Sequence, residues 1–224
     1  QVAVEELGVA AEQIKVIVDS TRELGAGQTT GSRGTLMGAG AVQDACQKAL
    51  LDGCQVGFDY EGTYRINWTN SLNEGLENPV IHSTFGYASQ LVILNPDDGE
   101  VQNVVAAHDV GRAVNPQLCE GQIEGAVHMG LGYSLTEGFP TDPSGRPTNT
   151  TLRGLDIIRP KDMPPVEVII VESPQPGAPY GIKGVGEIGL VPTAGAVAAA
   201  IRSQGDPWHN ELPIRNVANR ERAG

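Results

Sequence analysis

Basic residues, aromatics, cysteines and long apolar runs are all scarce in this 224-residue chain. Lys and Arg number 15 against 27 Asp and Glu, a formal net charge of −12. Nucleic-acid binding needs a basic patch and an anionic membrane attracts cations, so neither partner is expected. No stretch of about 18 apolar residues occurs, which argues against a membrane-spanning helix. The three cysteines, Cys46, Cys54 and Cys119, are odd in number and have no CxxC or Cys/His zinc spacing. They are expected to be buried free thiols in a reducing, cytoplasmic compartment. No basic, apolar leader pattern opens the chain. An initiator Met is also missing, and QVAVEELG reads as the end of a helix, so the chain is expected to begin mid-domain.

Glycine is abundant instead, at 29 residues, with 15 prolines. The glycine share is close to twice the usual level of about 7%. It falls in short clusters between apolar runs, without the period of collagen. Such clusters suit loops whose backbone approaches a ligand closely. Periodicity predicts helices ending at Leu7, over 39–51, over 117–135 and over 193–201. Strands are expected over 14–18, 64–68, 85–94, 101–107 and 166–171. The segment Asn95-Pro-Asp-Asp-Gly99 is hairpin chemistry. Gly121, Gly125 and Gly130 weaken the long helix, so close packing against it is expected. The mixture reads as an α+β fold occupying residues 1–224, with a polar tail over 206–224.

Three segments carry candidate chemistry. Gly181-Ile-Lys-Gly-Val-Gly-Glu-Ile-Gly189 formally contains GxGxxG. Its proline-rich approach cannot be the strand that a dinucleotide site requires. Glu187 within it could be a general base, since apolar neighbours would favour its protonated form. It could equally be a first-turn residue of the helix after Pro192. Gln122 in GQIEG could be a buried hydrogen-bond donor or a solvated side chain. Gln28-Thr-Thr-Gly-Ser-Arg-Gly34 offers hydroxyls, backbone N–H groups and a cation ahead of a helix, which suits an anion or a polar heterocycle. It lacks the GK[ST] ending of a P-loop and could be a plain linker. His108 and Asp109 could be a metal or acid/base pair, but Val110-Gly111 and Asn115-Pro116 after them favour a structured turn. No GxSxG motif and no Cys/His metal cluster is present.

Taken together, HDVGRAVNP (108–116), EGQIEGAVHMGLGYSLTE (120–137), TLRGLDIIRPKDMPPVEV (151–168) and YGIKGVGEIGLVPTAGAVAAAI (180–201) resemble the molybdenum hydroxylases. These are the xanthine dehydrogenase and aldehyde oxidoreductase relatives. GQTTGSRGTLMGAGAVQDAC (27–46) is similar to their pterin-binding loop and following helix. The resemblance implies that Glu187 is the general base for hydroxylating an electron-poor carbon with water-derived oxygen. It implies that Gln122 hydrogen-bonds an oxo ligand of the cofactor. Thr30, Gly31, Ser32, Arg33 and Gly34 would grip a molybdopterin, in the cytosine dinucleotide form. Gly184, Val185 and Gly186 would let the backbone pack beside it. The pterin itself would hold molybdenum, so no protein ligand to the metal is expected.

The sequence also departs from the family pattern. A GGGFGGK-like cofactor motif and an FRGFG-like substrate motif are absent, as are iron–sulfur and flavin modules. The resemblance therefore implies the C-terminal half of a molybdenum-binding domain, either a fragment or a split subunit. Its expected partners are the N-terminal half of that domain, 2Fe–2S and FAD subunits, and a small substrate of purine or nicotinate type. An aldehyde substrate, or a non-catalytic assembly role, stands as the alternative. Exposed apolar surface is expected on the helices over 39–51 and 117–135, where the missing half would dock.

Overall fold

A computed structural model describes residues 1–19, 21, 27–205, 207 and 209–214. Most of the expected polar tail lies outside the described residues. Four helices and three strands are formed among the described residues: α1 (Val2–Leu7), α2 (Gly34–Leu51), β1 (Ala88–Leu94), β2 (Val101–Asp109), α3 (Pro116–Leu135), β3 (Val166–Val171) and α4 (Thr193–Ser203). The chain divides into two compact units. One comprises Gln1–Gly86, Val110–Pro116 and Glu172–Gly184; the other comprises Tyr87–Asp109, Gln117–Val171 and Val185–Gly224.

In the first unit, α1 ends at Gly8, whose φ of 64° allows the left-handed stop. Helix α1 packs on α2. Leu36, Ala39 and Ile182 form the buried centre, with Val2, Tyr64, Ile66 and Tyr180 packed around it. Helix α2 begins five residues earlier than the apolar spacing predicts. Its first turns carry Gly34, Gly38 and Gly40, weak helix formers whose helicity comes from packing. Two expected strands, 14–18 and 64–68, are irregular backbone. A strand needs a ladder partner, and none pairs with either segment among the described residues. Val16, Ile17 and Val18 are consequently exposed.

In the second unit, β1 and β2 form the antiparallel hairpin expected from residues 95–99, and β3 pairs in parallel with β2. Paired residues share a face, so Val92, Val104 and Val166 lie together, as do Leu91, Val105 and Glu167. The inner face buries Val92, Val104, Ala106 and His108, and α4 lies against β1. Each fully buried valine contributes about 1.5–3 kcal/mol relative to exposure. The outer face leaves Leu91, Ile169 and Val171 exposed. Helix α3 buries Ile123, Val127 and Leu131 on one stripe. A Cβ on Gly130 would sit 2.5 Å from Thr193 at the start of α4. Gly121 and Gly125 meet nothing within 4 Å, so of the three glycines only Gly130 takes part in the close packing expected against the helix. Exposed Val42, Leu50 and Leu51 on α2, and Leu118, Met129 and Tyr133 on α3, supply the apolar surface expected there. Cys46 is buried, Cys54 exposed and Cys119 intermediate, so the expectation of buried thiols holds for Cys46 alone.

Candidate functional site

The candidate residues fall on both units, and each set is built differently. In the first unit, Thr30–Ser32 is a single 3-10 turn. Gly31 (φ 70°) and Ser32 (φ 58°) both adopt the left-handed conformation, and Arg33 (φ −88°) returns toward helical values before α2 starts. Such alternations turn successive backbone N–H groups toward a common anion position. The residue before α2 is Arg33, which supplies no side-chain cap. The first N–H groups of α2 therefore have no side-chain acceptor from their cap position. Arg33 closes the loop by donating from Nε to the Gln28 carbonyl at 2.9 Å. Thr30 Oγ1 donates to Gln28 Oε1 at 3.3 Å.

Gly184 belongs to this set. A Cβ built on it would stand 3.0 Å from the Ser32 carbonyl oxygen and 3.1 Å from Ser32 Cβ. The two glycine-rich motifs, distant in sequence, thus lie backbone on backbone. A side chain at position 184 would crowd this loop.

In the second unit, Gln122 projects from α3 with its Nε2 3.5 Å from the Gly186 carbonyl, at the long limit of a hydrogen bond. The chain after Gly186 makes consecutive turns: Leu190 N–H donates to Glu187 O, Val191 to Ile188 O and Thr193 to Leu190 O. Gly189 faces inward, where a Cβ would stand 2.6 Å from Ala126 Cβ and 3.1 Å from the Ile123 carbonyl. Gly186 and Glu187 face outward on the same turn and are exposed, and Val185 is half-buried. The apolar surround expected for Glu187 is therefore not supplied by the described residues. The turn spends its inward position on Gly189, and Val191, expected to shield the carboxylate, is 77% exposed. Gln122, offered as a buried donor, is likewise exposed.

Sequence reasoning missed a polar cluster beneath this turn. The Gly189 carbonyl accepts from Gln90 Nε2 at 2.8 Å and from Thr193 Oγ1 at 3.1 Å. Gln90 Nε2 also lies 3.2 Å from His108 Nε2. His108 is fully buried, and this burial pushes its pKa below the ordinary histidine value. His108 and Asp109 end β2 rather than forming the expected turn. The available signal was a lone Gln on the inward side of the apolar strand ASQLVIL. Among the described residues, no three His, Cys, Asp or Glu side chains gather where they could hold a metal ion. No helix among them is long and apolar enough to cross a membrane.

Comparison with known proteins bears on these two sets. The family model described as "Molybdopterin cofactor-binding domain" matches residues 1–54 and 52–164. The chain is 30% identical to a probable xanthine dehydrogenase component of Bacillus subtilis, over 96% of this chain and 34% of that protein. It is 31% identical to "Aldehyde oxidoreductase molybdenum-binding subunit PaoC" of Escherichia coli, over 90% of this chain and 31% of that protein. Among solved structures, an aldehyde oxidoreductase from Desulfovibrio gigas superposes with a TM-score of 0.71 at 26% identity, covering 90% of this chain and 24% of that one. The chain thus spans about a third of the length of these curated relatives. Matched over most of its length by that family model, the chain belongs to the molybdopterin cofactor-binding domain family, that of xanthine dehydrogenase and aldehyde oxidoreductase molybdenum-binding subunits.

Proposed function

We propose that this chain forms the C-terminal part of the molybdenum-binding portion of a hydroxylase that oxidises an aromatic N-heterocycle of purine or nicotinate type. The observation that carries the reading is the seating of Gly184 on the Gly31 and Ser32 loop, ahead of Glu187 in the same short segment. That loop and the uncapped start of α2 present N–H groups suited to an anionic cofactor. Thr30, Gly31, Ser32, Arg33 and Gly34 would hold a molybdopterin, in the cytosine dinucleotide form. Gly184, Val185 and Gly186 would line it with bare backbone. Gln122 would orient it through its side-chain amide.

When bound, the molybdenum cofactor supplies the two-electron acceptor for substrate oxidation. Glu187 acts as general base, its carboxylate taking the proton from the oxygen that attacks the electron-poor carbon. Its turn is tied at Gly186 by Gln122 and at Gly189 by Gln90 and Thr193, which limits the carboxylate's wander. The N-terminal part of the domain would cover Glu187 and exclude bulk water. Electrons would leave through 2Fe–2S and FAD groups on partner chains.

An aldehyde is the second substrate reading, supported by the 31% identity to the PaoC protein. Turnover of purine, nicotinate and aromatic aldehyde by the molybdenum-loaded complex separates the two. Replacing Glu187 by Gln in that complex should lower turnover by about 10²–10⁴-fold, the usual worth of a general base, with molybdenum content unchanged. Near-normal turnover would overturn the reading.

A further inference from the structure

We propose that Gln90 and Thr193 are positioning residues that set the Glu187 turn through one atom, the Gly189 carbonyl oxygen. The proposal rests on the reading of Glu187 as general base.

The geometry is specific. Gly189 stands two residues after Glu187, inside the same run of turns. Its carbonyl takes two donors from different elements: Gln90 Nε2 of β1, 99 positions away, and Thr193 Oγ1 of α4. The opposite side of Gly189 presses on Ile123 and Ala126 of α3. The residue is thus held by three elements, while Glu187 itself faces outward.

The orientation of the Gln90 amide follows from its partners. A backbone carbonyl only accepts, so the atom facing Gly189 must be the amide nitrogen. Its second proton points to His108 Nε2, which must then accept, leaving the ring proton on Nδ1. Gln90 and His108 are diagonal neighbours on one face of the hairpin, since Ala88 pairs with His108 and Gln90 with Ala106. A neutral, fully buried histidine therefore locks the glutamine that holds the turn. Gln90 Oε1 and His108 Nδ1 are buried without a hydrogen-bond partner among the described residues. Unpaired buried polar atoms are costly and call for an explanation. Placement of the Gly189 carbonyl supplies one.

The test is Gln90→Met in the molybdenum-loaded complex, a change that keeps side-chain length and removes the donor. We expect kcat to fall about tenfold with KM within about twofold, because misplacement of a catalytic group weakens the chemical step rather than binding. The kcat–pH profile should shift, and amide hydrogen exchange should quicken in the peptide over 185–193 while that over α3 is unchanged. Molybdenum content should stay at the wild-type level. Wild-type kcat, pH profile and exchange in an assembled, loaded Gln90→Met complex would overturn the proposal. If that variant fails to assemble, Thr193→Val removes the other donor to the same carbonyl. The same kcat-only loss with quicker exchange over 185–193 would sustain the proposal, and unchanged values would overturn it. Glu187→Gln run in parallel keeps the two ideas apart. Normal turnover there defeats the assignment of the base, whereas its loss with an unaffected Gln90→Met defeats only the positioning role.

Discussion

Gly184 rests on Ser32 so closely that a Cβ at position 184 would stand 3.0 Å from the Ser32 carbonyl oxygen and 3.1 Å from Ser32 Cβ. Gly184→Ala should therefore displace the Thr30–Ser32 turn by a few tenths of an ångström. Overpacking of this kind costs about 1–3 kcal/mol. We expect molybdenum content per purified complex to drop severalfold while the thermal midpoint falls by only a few degrees. Wild-type metal content, read by mass spectrometry, would show that the loop tolerates the methyl group.

Glycines of α3 predict opposite signs for the same substitution. Gly130→Ala would drive a methyl group onto Thr193, 2.5 Å away, and should destabilise the chain by about 1–3 kcal/mol. Gly125→Ala meets nothing within 4 Å and should stabilise it by up to about 1 kcal/mol through helix propensity. Urea denaturation of both variants, compared with wild type, checks the pair. If Gly125→Ala also weakens assembly of the complex, that open face is covered by a partner.

A pH dependence is built into the first unit. The Tyr180 hydroxyl donates to Glu6. Burial and this bond raise the Tyr180 pKa, while the bond from Tyr180 and a second from Gln43 lower that of Glu6. A raised tyrosine pKa adds stability present below the unfolded value of about 10 and lost as pH climbs through the folded value. A lowered carboxylate pKa adds stability present above the unfolded value and lost as pH falls through the folded one. Tyr180→Phe should thus flatten the stability curve at both ends and cost about 1.5–3 kcal/mol near neutrality, the usual range for a hydrogen bond to a charged group. Thermal midpoints of both proteins, measured from about pH 2 to pH 11, decide it.

Thiol reactivity should separate the cysteines. Cys54 is exposed, whereas Cys46 is buried and its thiol is pushed up chiefly by that burial. Iodoacetamide should modify Cys54 first and Cys46 last, since the thiolate is the nucleophile. Peptide mapping after brief labelling would register the order, and early labelling of Cys46 would mean that α2 opens readily.

Much of the local structure was legible. The β1 and β2 hairpin followed from β-branched runs flanking Asn95-Pro-Asp-Asp-Gly99, and α4 from its alanine-rich run after Pro192. The order of the family's motifs, from GQTTGSRG to GVGEIG, pointed to the family without any tertiary information. These features live in short-range pattern, which composition and spacing record directly.

What escaped was whatever depended on a partner remote in the chain. Residues 14–18 and 64–68 have strand composition but no ladder to join, and β3 owes its parallel place to β2. Sequence placed Glu187 among apolar neighbours, but the tertiary structure turned Gly189 inward and left Glu187 exposed. Nothing local marked Gln90, because its role arises only when β1 passes beneath a carbonyl 99 positions away. By itself, then, the sequence determined the helices, the hairpin and family membership, through periodicity, turn chemistry and motif order. Only the tertiary structure decided burial and hydrogen-bond partners, because these come from surfaces that meet after the chain has folded.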